Sequence, residues 1–121
     1  MEPRTTLVLG ASPEPSRYAY LAAQKLLAHG HRVVLVGKRS GTIGGVAIGP
    51  DLPAGADVDT VTLYLNPVVQ EAWHDRLLQL APRRIIFNPG TEHPAFAARA
   101  AAQGIEVLEA CTLVMLGTGQ Y

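Results

Sequence analysis

The sequence has little charge and almost no cysteine. Only 17% of its 121 residues are charged, a smaller share than is usual in a globular domain, and ten Lys and Arg are balanced by ten Asp and Glu. A chain with no excess of positive charge has no general electrostatic pull toward nucleic acid or an anionic membrane surface. It also has little charge repulsion between copies, so a homodimer or a complex with a partner protein is permitted. The single cysteine, Cys111, has no partner for an internal disulfide, and a cytoplasmic location is expected. No apolar stretch approaches the length of a membrane-spanning helix. The opening Met1–Thr6 is followed only by the short apolar run Leu7–Leu9, so no secretory leader is expected. Neither a G-x-S-x-G elbow nor a G-x-x-x-x-G-K-[ST] phosphate loop occurs. The four histidines and one cysteine show no metal-ligand spacing.

At 121 residues the chain has room for one hydrophobic core, and one domain over residues 1–121 is expected. A nucleotide site in such a domain leaves no space for a separate catalytic domain. Five apolar runs punctuate the chain: Thr6–Gly10, Arg32–Val36, Thr60–Leu65, Arg84–Phe87 and Ile105–Leu108. Their β-branched residues and weak alternation suit strands covered on both faces. Between them, Arg17–His29 reads as a helix with Ser16 as its N-cap and Gly30 just past its end. Asn66-Pro67 opens another helix, continuing to about Ala81, by supplying an N-cap and a proline at the first helical position. Thr91 is a candidate cap for a fourth helical stretch ending at Gln103-Gly104, and Leu113–Leu116 suits a last short helix. Gly37–Gly45 reads as a glycine-rich loop and Val46–Ile48 as a short edge element, so the crossover there has no clear helix. The expected fold is α/β: a three-layer, Rossmann-like, doubly wound domain on a five-stranded parallel sheet of order 3-2-1-4-5.

In such a sheet, ligands bind beyond the carboxyl ends of the strands, beside strand 1. The segment Gly10–Ser16, G-A-S-P-E-P-S, lies there, between the first strand and the first helix. Unpaired amides and the helix dipole favour an anion at such a junction. Gly10 permits close approach, Ser12 and Ser16 carry hydroxyls, and Arg17 carries charge. The G-x-G-x-x-G fingerprint is absent, and the prolines remove amide donors; a plain strand–helix turn is the alternative.

After the second strand comes Gly37-Lys38-Arg39-Ser40, with no acid between Glu14 and Asp51. A dinucleotide site for an unmodified ribose uses an acid at this point. Two adjacent cations instead favour a ribose phosphate, such as those of NADP and coenzyme A. The alternative is a solvated basic loop. Trp73, within the third helical stretch, marks a packing face against the sheet or a partner, and the sequence does not decide between them. Among the histidines, His93 lies nearest the carboxyl edge.

The stretches G-A-S-P-E-P-S-R-Y-A-Y, L-L-A-H-G-H-R-V-V-L-V-G, G-K-R-S-G-T-I-G-G and L-Y-L-N-P occur in an order that resembles the small bacterial CoA-binding proteins. Those proteins in turn resemble the CoA-binding domain of the succinyl-CoA synthetase α subunit. The resemblance spans about residues 5–116 and implies a Rossmann-like domain that binds coenzyme A. It implies that Gly10, Ala11, Ser12 and Arg17 surround the diphosphate, and that Val36, Gly37, Lys38 and Arg39 surround the adenosine ribose and its phosphate. Tyr64, Asn66 and Pro67 match the segment after the third strand, and Cys111 matches the family's late cysteine. Three departures stand out. Gly37-Lys38 replaces the usual N-P, Tyr64-Leu65 lacks a frequent arginine, and Glu109 replaces an aspartate. The expected function is non-enzymatic binding of coenzyme A or an acyl-CoA. The alternatives are an NADP-binding or NADP-sensing protein and an interaction module that has lost its ligand.

Overall fold

The five apolar runs do form parallel strands in the computed structural model, which describes residues 4–121. The first three residues of the expected domain, and of the Met1–Thr6 segment, lie outside the described residues. The strands are β1 (Thr5–Leu9), β2 (Arg32–Val36), β5 (Thr60–Leu63), β6 (Arg84–Phe87) and β7 (Glu106–Glu109). Two more, β3 (Thr42–Ile43) and β4 (Val46–Gly49), arise within and just after the stretch expected to be a loop. The seven-stranded sheet has the order β3-β4-β2-β1-β5-β6-β7, and only the β3–β4 pair is antiparallel.

The fold class is as expected, but the strand count and order need correction. The Thr60 strand does not sit beyond β2; it pairs with β1, Thr6 opposite Thr60. The outer place on β2 belongs to β4, with Leu35 opposite Ile48. The cause lies in the glycines. Gly44 and Gly45 have φ of +55° and +82°, the two consecutive positive values of a type I′ hairpin turn. The chain therefore reverses after β2 through β3 and re-enters the sheet as β4 without a helix. Ile43 and Ile48 are buried and fix the register of this small hairpin. With β4 counted third, the order becomes the doubly wound 3-2-1-4-5-6.

Helices cover both faces. On one side α1 (Tyr18–Ala28) and α5 (Thr112–Gly117) pack over Val8, Leu35, Ile43, Ile48 and Ile86. On the other, α3 (His74–Leu80) and α4 (Pro94–Ala102) pack over Leu7, Leu9, Val61, Leu63, Ile85 and Phe87. Helix α1 buries Ala19, Ala22, Ala23 and Leu26. The alanines let it lie close on the sheet, while full burial of Leu26 contributes about 2 kcal/mol. It ends as expected at Gly30 (φ +82°), where Gly30 N–H donates to Leu27 and His31 N–H to Leu26, a Schellman motif. Its start differs: Arg17, not Ser16, is the N-cap residue, and it makes no side-chain cap.

The helix expected over Pro67–Ala81 is broken into α2 (Pro67–Gln70), a 3₁₀ turn over Glu71–Trp73, and α3. Asn66 caps α2 as expected, its Oδ1 accepting from Val69 N–H at 2.9 Å. Buried Gln70 anchors the break: its Nε2 donates to the Leu65 and Thr91 carbonyls, and its Oε1 meets His74 Nε2 at 2.8 Å. Thr91 does not cap α4; its hydroxyl donates to the Asn88 carbonyl, and His93 Nδ1 accepts from Phe96 N–H instead.

At the opposite end of the sheet from these loops, Tyr121 folds back onto the α1/α5 face. Its ring lies 4.3 Å under the Arg84 guanidinium, and its hydroxyl bonds to Thr6 Oγ1. Its carbonyl accepts from both Arg4 and Arg84. Buried Arg84 also donates through Nε to Thr60 Oγ1 at 2.8 Å, and these hydrogen bonds offset part of the cost of removing its charge from water.

His74 stacks on Phe96 at 3.8 Å and meets His93 edge-on at 4.6 Å, with Glu71, Asp75 and Arg99 also facing it. Burial, helped by the His93 ring, pushes its pKa down to about 4. A folded-state pKa below the unfolded value means that the unfolded chain binds the extra proton. Stability from this group is therefore complete above about pH 6.5 and is lost as pH falls toward 4. Thermal melts should show a loss on the order of 2 kcal/mol across that window. The His74→Phe variant, though less stable at neutral pH, should show a flatter acid slope.

Candidate functional site

Two glycines bring the loops after β1 and β2 into contact. The Val36 carbonyl accepts from both Gly10 N–H and Ala11 N–H, each at 2.9 Å. Gly10 has φ +98°, and a Cβ there would stand 2.8 Å from the Tyr64 backbone carbon. A Cβ on Gly37 would stand 2.1 Å from the Ala11 carbonyl oxygen. The absence of a side chain at Gly37 is therefore tied to the close approach of these two loops. The same bonds change one expectation. The Gly10 and Ala11 amides are engaged by Val36, so they are not free donors for a diphosphate.

Above this junction lies a cleft of about 390 Å³, within the range of small-molecule sites. It is lined by Gly10, Ala11, Ser12 and Arg17 from the first loop, and by Val36, Gly37, Lys38 and Arg39 from the second. Tyr64 and Asn66 line it from the segment after β5. The structure thus brings the expected site residues together except Ser16, Pro67 and Cys111. Pro67 starts α2, and Cys111 is the half-buried residue that precedes α5. Leu9, Pro50, Leu65, Val69 and Trp73 complete the lining and were not anticipated as site residues. Trp73 enters because the 3₁₀ turn carries it to the cleft, with the Arg76 guanidinium 4.2 Å over its ring. Arg76 in turn pairs with Asp51, beside Pro50.

The cleft is electrostatically lopsided. Its cations, Arg17, Lys38 and Arg39, all come from the β1 and β2 loops, and no acid is among its lining residues. The opposite wall is Leu65, Val69 and Trp73. Ser12 Oγ accepts from Glu14 N–H at 3.2 Å, which leaves its hydroxyl hydrogen to donate. Arg17 pairs with Glu14 at 3.1 Å, and Arg39 reaches the other oxygen of the same carboxylate at 3.4 Å. These guanidinium groups hold the Glu14 carboxyl below its ordinary pKa. The tail of Tyr64 points the other way, into the α1/α5 layer. Its hydroxyl is buried with no hydrogen-bond partner among the described residues, and burial pushes its pKa up to about 12, so the phenol stays neutral.

Behind Tyr64, buried Asn88 ties three elements together. Its Nδ2 donates to Thr62 Oγ1 at 2.7 Å and to the Leu63 carbonyl at 2.9 Å, and its Oδ1 accepts from Thr112 N–H at 2.9 Å. Both the nitrogen and the oxygen of that amide head are engaged, so it reads as structural cement between β5, β6 and α5. His93 is likewise committed, capping α4 and pairing with Glu71 at 3.0 Å. Among the described residues no three His, Cys, Asp or Glu side chains gather as metal ligands, and no helix is long and apolar enough to cross a membrane.

The topology and the placement of the cleft define a Rossmann-like α/β domain with its opening at the topological switch point. A family model described as a CoA binding domain matches residues 4–117, and the chain belongs to that family. A crystal structure described as an uncharacterized protein is 45% identical, with a TM-score of 0.95 and 100% of each chain covered. The structure of cell-free ID.343 from Thermus thermophilus is 25% identical, with a TM-score of 0.86 and coverage of 98% of this chain and 91% of that one. A hypothetical protein from Pyrococcus horikoshii OT3, 24% identical over 95% of this chain and 82% of that one, shares the fold with a TM-score of 0.83. No protein of curated function matches the chain.

The contact at Gly37 gives a direct test of how the cleft is built. Gly37→Ala forces a methyl group into a backbone oxygen and should cost about 2–3 kcal/mol. Chemical denaturation should report that loss.

Proposed function

We propose that the cleft binds coenzyme A or an acyl-CoA by its nucleotide half, and that the isolated chain performs no chemistry on it. The observation that carries this reading is the lopsided lining: three cations on one rim and an apolar wall opposite. A 3′-phosphorylated ADP moiety has the same division, with phosphates on one side and a flat base on the other. Lys38 and Arg39 take the ribose phosphate. Arg17, the Ser12 hydroxyl and the uncapped first turn of α1 take the diphosphate, the helix dipole adding to the side-chain charges. The adenine lies against Leu65, Val69 and Trp73. The pantetheine arm leaves through the open mouth of the cleft.

The engagement of Gly10 and Ala11 with Val36 shifts the burden of phosphate binding from the loop backbone to side chains. Affinity on this reading depends on Arg17, Lys38 and Arg39 more than on a glycine-rich nest. No nucleophile–base pair lines the cleft, and a general base must reach the proton it removes. Family membership supports coenzyme A over NADP as the ligand.

Titration calorimetry with coenzyme A, dephospho-CoA, NAD and NADP at low and moderate salt tests the reading. Coenzyme A should bind most tightly. Loss of its 3′-phosphate should cost about one to two decades in affinity, the worth of one charge-assisted hydrogen-bonded contact. Added salt should narrow that gap. Equal affinity for coenzyme A and dephospho-CoA would remove Lys38 and Arg39 from the ribose phosphate, and tighter binding of NADP would overturn the assignment.

A further inference from the structure

We infer that Glu14 is a built-in counter-ion, which holds the two arginines of the cleft rim in the free protein and must be displaced by the phosphates of an incoming ligand. The inference deepens the reading of the cleft as a phosphate-binding site and names the residue that sets how much negative charge a ligand needs. Its first support is the sharing of one carboxylate between two loops: Arg17 Nε lies 3.1 Å from Oε2 and Arg39 Nη1 lies 3.4 Å from Oε1. Both arginines line the cleft, and Glu14 itself does not. The carboxylate thus offsets part of the rim's positive charge from outside while leaving the cleft open.

Its second support is the constrained backbone from which the exposed Glu14 side chain reaches out. Pro13 and Pro15 flank it and restrict the chain on both sides. Glu14 N–H donates to Ser12 Oγ, and the Glu14 carbonyl accepts from Arg17 N–H at 3.1 Å. The loop carrying Arg39 is close behind: a Cβ on Gly41 would lie 2.6 Å from Pro13 Cβ. A flexible surface ion pair is ordinarily of little consequence, but here the backbone places the acid between two cations that a ligand also needs. Lys38 makes no ion pair among the described residues, so it stays available for first encounter.

An acid in this place acts as a threshold. A ligand with one weakly charged group gains little by taking the arginines from Glu14, whereas one with several phosphates gains enough to displace it. Removing the carboxylate charge lowers that threshold for every anion. In the Glu14→Gln variant, coenzyme A should bind about three- to tenfold more tightly at low salt, and the gain should shrink as salt is raised. Inorganic pyrophosphate, titrated without divalent cations, should show a gain in the same direction.

The two probes separate the two ideas. Tighter binding of pyrophosphate by Glu14→Gln, with coenzyme A bound by neither protein, would keep the counter-ion and discard the coenzyme A reading. Binding of coenzyme A by both proteins with equal or weaker affinity in the variant would discard the counter-ion, showing that Glu14 only positions the arginines. If neither probe binds either protein, both ideas fall.

Discussion

The Val36 carbonyl is the point on which the site turns. One oxygen accepts two amides, from Gly10 and Ala11, and in doing so joins the end of β2 to the end of β1. That junction is short because Gly37 has no side chain to meet the Ala11 carbonyl. It sets the floor of the cleft and the separation of the loops that carry Arg17 and Arg39. It also dictates the chemistry, since amides spent on closing the junction are unavailable to phosphate and side chains must replace them.

Much of the fold was legible because buried parallel strands and helix ends have strong local signatures. Gly30 and Gly104 both end helices in the positive-φ conformation, and Asn66-Pro67 starts one where the N-cap and N1 rules place it. The strand order was not legible for a different reason. Its key is a strand of two residues and another of four, too short for periodicity to register. Thr42-Ile43, Gly44-Gly45 and Val46-Ala47 nevertheless form a hairpin signal of two glycines between strand-forming pairs, and that signal was available in the sequence. Thr91 and His93 competed to cap α4, and the His93 ring nitrogen took the role.

The site was legible to the extent that it lies on loops directly following strands. Ser12, Arg17, Lys38 and Arg39 needed only the doubly wound topology to be placed together. Trp73 and Val69 could not be assigned that way. Their position depends on a helix that breaks into a 3₁₀ turn, and the break rests on a local bond from Gln70 to Leu65 and a longer-range one to Thr91. Pro50 likewise reaches the cleft only because β4 occupies the edge beside β2. Helical periodicity has no information about either contact.

The short hairpin beside β2 also limits what one margin of the sheet offers to another chain. A parallel sheet ending on a long, flat strand would offer its unpaired amides and carbonyls to a neighbour's edge. Here one edge is β3, with two residues in the ladder, and the other is β7, which carries Glu106 and Glu109 at its ends. A chain with a formal net charge of +0 has little long-range repulsion to keep copies apart. A two-residue ladder at one margin and a four-residue strand at the other, its Glu106 paired with Arg83, leave little backbone for a neighbour's edge to pair with.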